Sequence, residues 1–284
     1  MWSRIGLVVG VAVLLVAAAA VRCTLQLRAA HDRAVAARRG TGRALALLTE
    51  DELAPLPAAV QRYLRNCGVV GQPHVIDFHV RFRGRIRSGP DAPWMPFTGV
   101  QDNFIAPLER DFLMNATLFG IPLVAVHRYA GEHATMRVRL LGLFPVVDAA
   151  GPVMDQAETV TLFNDMCLLA PAMLVDAAIE WGTADSGQVQ ARFTNAGHTI
   201  AATLQFDDAG DLVDFISDER FMSNANGRTF TRCRWSTPVS GFRTYGPVRL
   251  FATAEARWHP PSGEFVYLEF EPLAVSYNGG RPAL

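Results

Sequence analysis

The hydrophobic pattern changes its period along the chain. From Ile5 to Val21, 17 residues pass without a charge, bracketed by Arg4 and Arg22. At about 1.5 Å per residue this run spans roughly 25 Å, the short end for a helix that crosses a bilayer. It exceeds the apolar core of a cleaved leader, although Ala17-Ala18-Ala19-Ala20 offers a small-residue cleavage site. Residues 1–22 therefore read as a transmembrane anchor or signal segment, with an uncleaved single-pass anchor over 5–21 as the adopted expectation. Arg22, Arg28, Arg33, Arg38, Arg39 and Arg43 come after the run and only Arg4 precedes it. The positive-inside rule then favours the cytoplasmic side for the large C-terminal part of the chain, while the cysteines leave the side open.

Residues 23–48 form an Ala/Arg-rich spacer, and 49–280 read as one β-rich domain. Thr49 and Glu52 make a capping box, and Pro57 suits a first helical turn. Val60, Tyr63, Leu64 and Cys67 follow at helical spacing until Gly68 stops the helix. From Val75 the period becomes two. Phe78, Val80, Phe82 and Ile86 alternate with His79, Arg81, Arg83, Arg85 and Arg87, which predicts a strand with one apolar face. Further strands are predicted near 97–105, 110–118, 122–130 and 134–141. A second helix is predicted over 155–170, capped by Asp155 with Glu158, its buried stripe being Val160, Phe163, Met166/Cys167 and Ala170. Strands resume near 178–182, 188–194, 198–206, 211–217, 228–235, 247–257, 264–271 and 273–277. The expected fold is mainly β (α+β). It is an antiparallel curved sheet or half-barrel of about 10–13 strands with two packed helices, after an N-terminal transmembrane helix.

Composition narrows the chemistry. All 26 basic residues are arginine, balanced by 27 acidic ones to a net charge of −1. Without lysine there is no Schiff base and no P-loop lysine, and without a basic excess no nucleic-acid partner is expected. Cys23, Cys67, Cys167 and Cys233 are far apart, and the seven histidines show no ligand spacing, so neither a disulfide framework nor a metal is expected. No G-x-S-x-G and no strand-borne G-x-G-x-x-G is present, hence no cofactor is expected.

Two local features bear on a site. Arg81, Arg83, Arg85 and Arg87 could hold phosphates or lipid head groups. Their simpler reading is an outer face paired with a neighbouring strand, through Glu109 and Asp111. Asn164-Asp165 sits inside the second helix, where both side chains compete with helical backbone bonds. Either they point into a cavity, with Asp165 as general acid/base oriented by Asn164, or they face solvent or bond an adjacent strand. Arg220 or Arg128 could then hold an anionic group. Asp218-Glu219-Arg220 reads as a turn with an ion pair.

The segment from Glu158, ETVTLFNDMCLLAP, with IEW at 179–181, ARFTNAGHTIAATLQFDDAGDLVDFISDER at 191–220, YLRNCGV at 63–69 and WMPFTGVQDNF at 94–104, resembles an uncharacterised bacterial family catalogued only as a domain of unknown function. The resemblance runs from about Leu53 to Asn278 and implies no catalytic residue. The order of helix, strands, inserted helix and strands is also loosely similar to lipoprotein-carrier half-barrels. That likeness implies a cavity between a curved sheet and its helices. The leading expectation is a membrane-anchored binding protein for a lipid or other hydrophobic small molecule, lined by Phe78, Val80, Phe82, Met114, Phe163 and Met166. The alternative is an enzyme using Asp165 and Asn164 in the same cavity.

Overall fold

The computed structural model describes residues 2–38, 45–185, 187–223 and 229–280, and for residues 2–9, 12 and 13 the backbone alone. The first helix, α1, runs Trp2–Ala36. The expected span 5–21 thus lies partly outside the described side chains. Among the described residues no helix is long and apolar enough to cross a membrane. The stretch expected as a spacer is helical up to Ala36, as its alanines and arginines favour, and Ala20, His31 and Val35 are buried against the rest of the fold.

The capping box forms only in part: Glu52 Oε2 accepts the Thr49 backbone N–H at 2.7 Å, but Thr49 Oγ1 donates to the same oxygen at 2.6 Å instead of accepting the Glu52 N–H. It leads a single 3₁₀ turn, Asp51–Leu53. The helix α2, Ala58–Cys67, starts after Pro57, buries Val60, Tyr63, Leu64 and Cys67, and stops at Gly68, whose φ of 72° is left-handed.

The strands are β1 Asp77–Ile86, β2 Met95–Ile105, β3 Leu108–Leu118, β4 Ile121–Ala130, β5 His133–Leu140 and β6 Phe144–Ala150. Then come α3 Pro152–Leu169 and the short α4 Met173–Asp176. The second set is β7 Ile179–Asp185, β8 Gln188–Asn195, β9 His198–Phe206, β10 Leu212–Ser223, β11 Phe230–Ser236, β12 Val239–Tyr245, β13 Val248–Trp258 and β14 Phe265–Tyr277. All fourteen belong to one sheet, ordered β6-β5-β4-β3-β2-β1-β14-β13-β11-β10-β9-β8-β7, with β12 also on β13. Every pairing is antiparallel.

This order explains the curl. The first and last strands meet in the middle, so the two outer edges, β6 and β7, are joined only by α3 and α4. Thirteen strands side by side would span about 58 Å if flat. The 18 residues of α3 reach about 27 Å. The sheet must bend until its edges come within reach, and α3 then lies on its inner face, touching β5 and β6 on one side and β8, β9, β10 and β13 on the other. Inner-face side chains, α2 and α3 share one apolar core.

The structure has more strands than the 10–13 expected, for local reasons. Phe144–Ala150 begins Phe-Pro-Val-Val and lacks alternation; Val239–Tyr245 is diluted by Ser240, Gly241, Arg243 and Thr244. The segments expected at 264–271 and 273–277 are one strand, because Pro272 falls where the β1 register shifts between Arg81 and Phe82. The expected helix start is also corrected. Gly151 precedes the helix with φ 110° and Pro152 opens it, while the Asp155 carboxylate accepts the Ala134 backbone N–H at 2.6 Å instead of capping. Nor does α3 bury a single stripe. Fourteen of its residues are buried, Glu158, Thr159, Thr161, Asn164 and Asp165 among them, because sheet surrounds the helix.

Candidate functional site

Strand alternation sorts side chains between two faces. On β2, Phe97, Gln101 and Asn103 point inward and Asp102 and Phe104 outward. On β3, Arg110, Phe112, Met114 and Ala116 point inward and Glu109 and Asp111 outward.

The inner face has two halves. Where α3 crosses, it is polar. The Arg110 guanidinium places Nε 2.9 Å from Asp165 Oδ2 and Nη1 3.0 Å from Glu158 Oε1, and donates from Nη2 to Gln101 Oε1 at 2.8 Å. Asp165 Oδ2 also accepts from Gln101 Nε2 at 2.8 Å and Asn103 Nδ2 at 3.4 Å. His127 Nδ1 lies 3.2 Å from Arg110 Nη1, so it accepts there, and its Nε2 lies 3.0 Å from Glu158 Oε2. A little further along, Arg220 donates to Thr161 Oγ1 at 2.8 Å with its guanidinium 4.4 Å from the Trp235 ring centre.

Electrostatics divide the two carboxylates. Burial pushes Glu158 up, but His127, Arg110 and Arg220 overcome it and hold the group down at about 2. Asp165 is raised: burial is the largest cause, Arg110 opposes it, and the Glu158 charge adds to it. The network is an internal ionic knot that fastens α3 to β2, β3 and β4.

Beyond α3, toward the β3–β4 and β5–β6 turns, the inner face is apolar and only partly covered. Ile86, Met95, Phe112, Leu123, Val138, Leu268 and Phe270 are half-buried against the core. They come from β1 to β5 and β14, so the curl gathers them at one open end of the sheet. At the other end α2 closes the core: Tyr63 donates to the Cys167 carbonyl at 2.7 Å and stands against Phe206.

On the outer face, α1 lies over β2 and β3. His31 Nε2 is 3.4 Å from Asp102 Oδ2, whose Oδ1 is 3.0 Å from His79 Nδ1, and Arg38 pairs with Glu109 and Asp111. The arginine row pairs with a strand, but the partners are corrected. Arg83 meets Glu271 and Arg85 meets Glu269 on β14, because β1 is paired with both β2 and β14. Arg85 and Arg87 also flank Trp94. A groove of about 780 Å³ runs beside these pairs, lined by Arg83, Arg85, Glu255, Arg257, Glu269 and Glu271 among others.

The six residues expected to line a ligand site, Phe78, Val80, Phe82, Met114, Phe163 and Met166, are all buried within the one core cluster, and none borders that groove. Phe78, Val80 and Phe82 share the inner face of β1, where Phe82 packs on Phe112 and Phe270. Asp165 is buried, 6% exposed, inside the ionic knot. Asn164 turns to the other side of the helix, where its Oδ1 accepts from Thr237 Oγ1 at 2.5 Å. The two are therefore not a cooperating pair, since consecutive helical residues diverge by about 100°. Arg128 and Arg220 are not brought together either: Arg128 pairs with Asp111 on the outer face. Asp218 and Glu219 do pair, with Arg234 and Arg232 across to β11, but the expected turn is corrected: residues 218–220 lie within β10, at a register shift between Ser217 and Arg220. Gln101, Asn103, Arg110 and His127 were not among the expected site residues. Their signal was available: each breaks the apolar set at an inward position of its strand.

Comparison with curated proteins gives no match. Among solved structures, a domain described as an outer membrane lipoprotein-sorting protein from Vibrio parahaemolyticus is 8% identical over 72% of this chain and 87% of its own, with a TM-score of 0.40. A LolA superfamily protein from Nitrosomonas europaea is 10% identical over 78% and 92%, TM-score 0.35. A DUF1329 family protein from Desulfovibrio piger ATCC 29098 is 12% identical over 79% and 94%, TM-score 0.34. The family expected from the motifs is found: residues 46–270 match the model described as "Family of unknown function (DUF6544)", and the chain belongs to that family.

Proposed function

We propose that this chain is a membrane-anchored binding protein that holds a lipid or other hydrophobic small molecule against the open apolar half of its inner sheet face. The observation that carries the reading is the group of half-buried side chains there, Ile86, Met95, Phe112, Leu123, Val138, Leu268 and Phe270. They stand next to a sealed core and beyond the reach of α3. Burying a methylene contributes about 0.8 kcal/mol, so an acyl segment of ten carbons laid on this face gains about 8 kcal/mol before ordering costs. The six residues expected from the sequence form the floor behind this face. The anchor would be residues 5–21 in the cell membrane. Its support is that Val11, Leu14, Leu15 and Val16 stand exposed on α1, an arrangement water disfavours.

Asp165 takes a structural part in this reading. A carboxylate oxygen that already accepts from Arg110, Gln101 and Asn103 fastens the helix. The test is native mass spectrometry of the full chain released from detergent micelles. A retained lipid or fatty acid adduct supports the proposal, and a bare chain mass after extraction from lipid-rich membranes contradicts it.

A further inference from the structure

The open end of the inner face is also the end from which the apolar half of α1 projects. Ala20 and Thr24 of α1 seat against Gly142 in the β5–β6 turn; a side chain at that glycine would collide with Thr24 Oγ1 at 2.8 Å. From there the helix continues across the outer face to His31 at Asp102, and the turn after it brings Arg38 to Glu109. Toward its N-terminus it leaves the sheet, and residues 10, 11 and 14–18 are exposed. Arg22, also exposed, marks the departure point.

The sheet is apolar at this same end, on its solvent side. Phe119 is 83% exposed, Val146 59%, Phe144 57% and Ile121 44%. They belong to adjacent hairpins: Leu118 pairs with Ile121, Leu123 with Leu140 and Leu140 with Phe144. The turns themselves are unusual. Phe119-Gly120 and Leu141-Gly142 have positive φ throughout, 49° and 80°, then 56° and 68°. Such turns favour Asn, Asp or Gly at the first place, and a bulky side chain there is strained. The β4–β5 turn at the opposite end, Gly131-Glu132, carries a charged residue instead.

We infer that the β3–β4 and β5–β6 hairpin tips rest in the surface of the same bilayer that receives α1, so that the open apolar face meets the lipid directly. This rests on the anchored reading of the chain. A lipid surface is the occupant because the tips are continuous with the exposed apolar stretch of α1. A partner protein on the tips would have to share that space with the anchor. Aromatic and aliphatic side chains at an interface, with an arginine at the helix's exit, fit the headgroup region of a bilayer. A hydrophobic molecule could then pass between the membrane and the inner face without crossing water.

The test uses the full chain reconstituted in phosphatidylcholine–phosphatidylglycerol vesicles, with and without lipids brominated near the top of the acyl chain. Phe119→Trp introduces a reporter at the tip, and Gln188→Trp one at the opposite end of the sheet. The added emission of the Phe119 variant should fall by about half in brominated vesicles, while that of the Gln188 variant stays unchanged. Equal, unquenched emission from both in vesicle-bound protein would overturn the docking and leave the anchor standing. If the chain is washed off the vesicles at alkaline pH, the anchored reading fails, and the docking with it.

Discussion

Nε of Arg110 on β3 lies 2.9 Å from Oδ2 of Asp165 on α3, and both side chains are buried. Only this guanidinium lies between Asp165 and Glu158. Arg110→Met would keep the volume but remove the buried charge both carboxylates share, leaving Asp165 with the amides of Gln101 and Asn103 and Glu158 with His127, a loss of about 3–5 kcal/mol. At roughly 2–4 °C per kcal/mol for a domain of this size, Tm should fall by about 6–20 °C. An unchanged Tm, read by circular dichroism, would show that the knot does not hold α3.

Acid should loosen the same knot through Glu158. Its carboxyl is held at about 2 in the folded chain against 4.5 when free. A depressed folded value stabilises at any pH above the free one, and that stabilisation disappears as pH falls from about 4.5 to about 2. Glu158→Gln should therefore flatten the decline of Tm across this window. A decline of the same slope in both proteins would rule Glu158 out as its cause.

Asp214 on β10 has the opposite sign. Burial raises its carboxyl to about 7, against the backbone amides of Phe215 and Thr237, and its Oδ1 is buried without a hydrogen-bond partner. A raised acid makes the fold progressively less stable as pH rises from about 3.8 to about 7. Asp214→Asn should be neutral near pH 4 and raise Tm at pH 8. A variant that is destabilised at pH 8 would mean that the ionised carboxylate is preferred there.

The sequence was most legible where one physical pressure dominates. The alternation from Phe78 to Arg87 predicts β1 and its faces, and Gly68 predicts the stop of α2. The partners of the arginine row were not legible, because Glu269 and Glu271 lie nearly two hundred residues away and only the β1–β14 pairing brings them near. Helix α3 was misread for a related reason. Its polar residues look like a solvent face by periodicity, but the helix bridges both edges of a curled sheet and is buried all round from Ala157 to Leu169. The Arg110 knot follows from that enclosure, and so do the buried Gln101 and Asn103. Pro272 concealed the continuity of β14 by imitating a break.

The central claim, that the open half of the inner face holds a hydrophobic molecule, is tested most directly by photo-crosslinking. The full chain in mild detergent is irradiated with a fatty acid carrying a mid-chain diazirine, and the adducts are mapped by peptide mass spectrometry. Adducts are predicted on the segments bearing Met95, Phe112, Leu123 and Leu268, abolished by excess unlabelled fatty acid. Adducts confined to α1 and the outer face, and insensitive to competition, would contradict the claim.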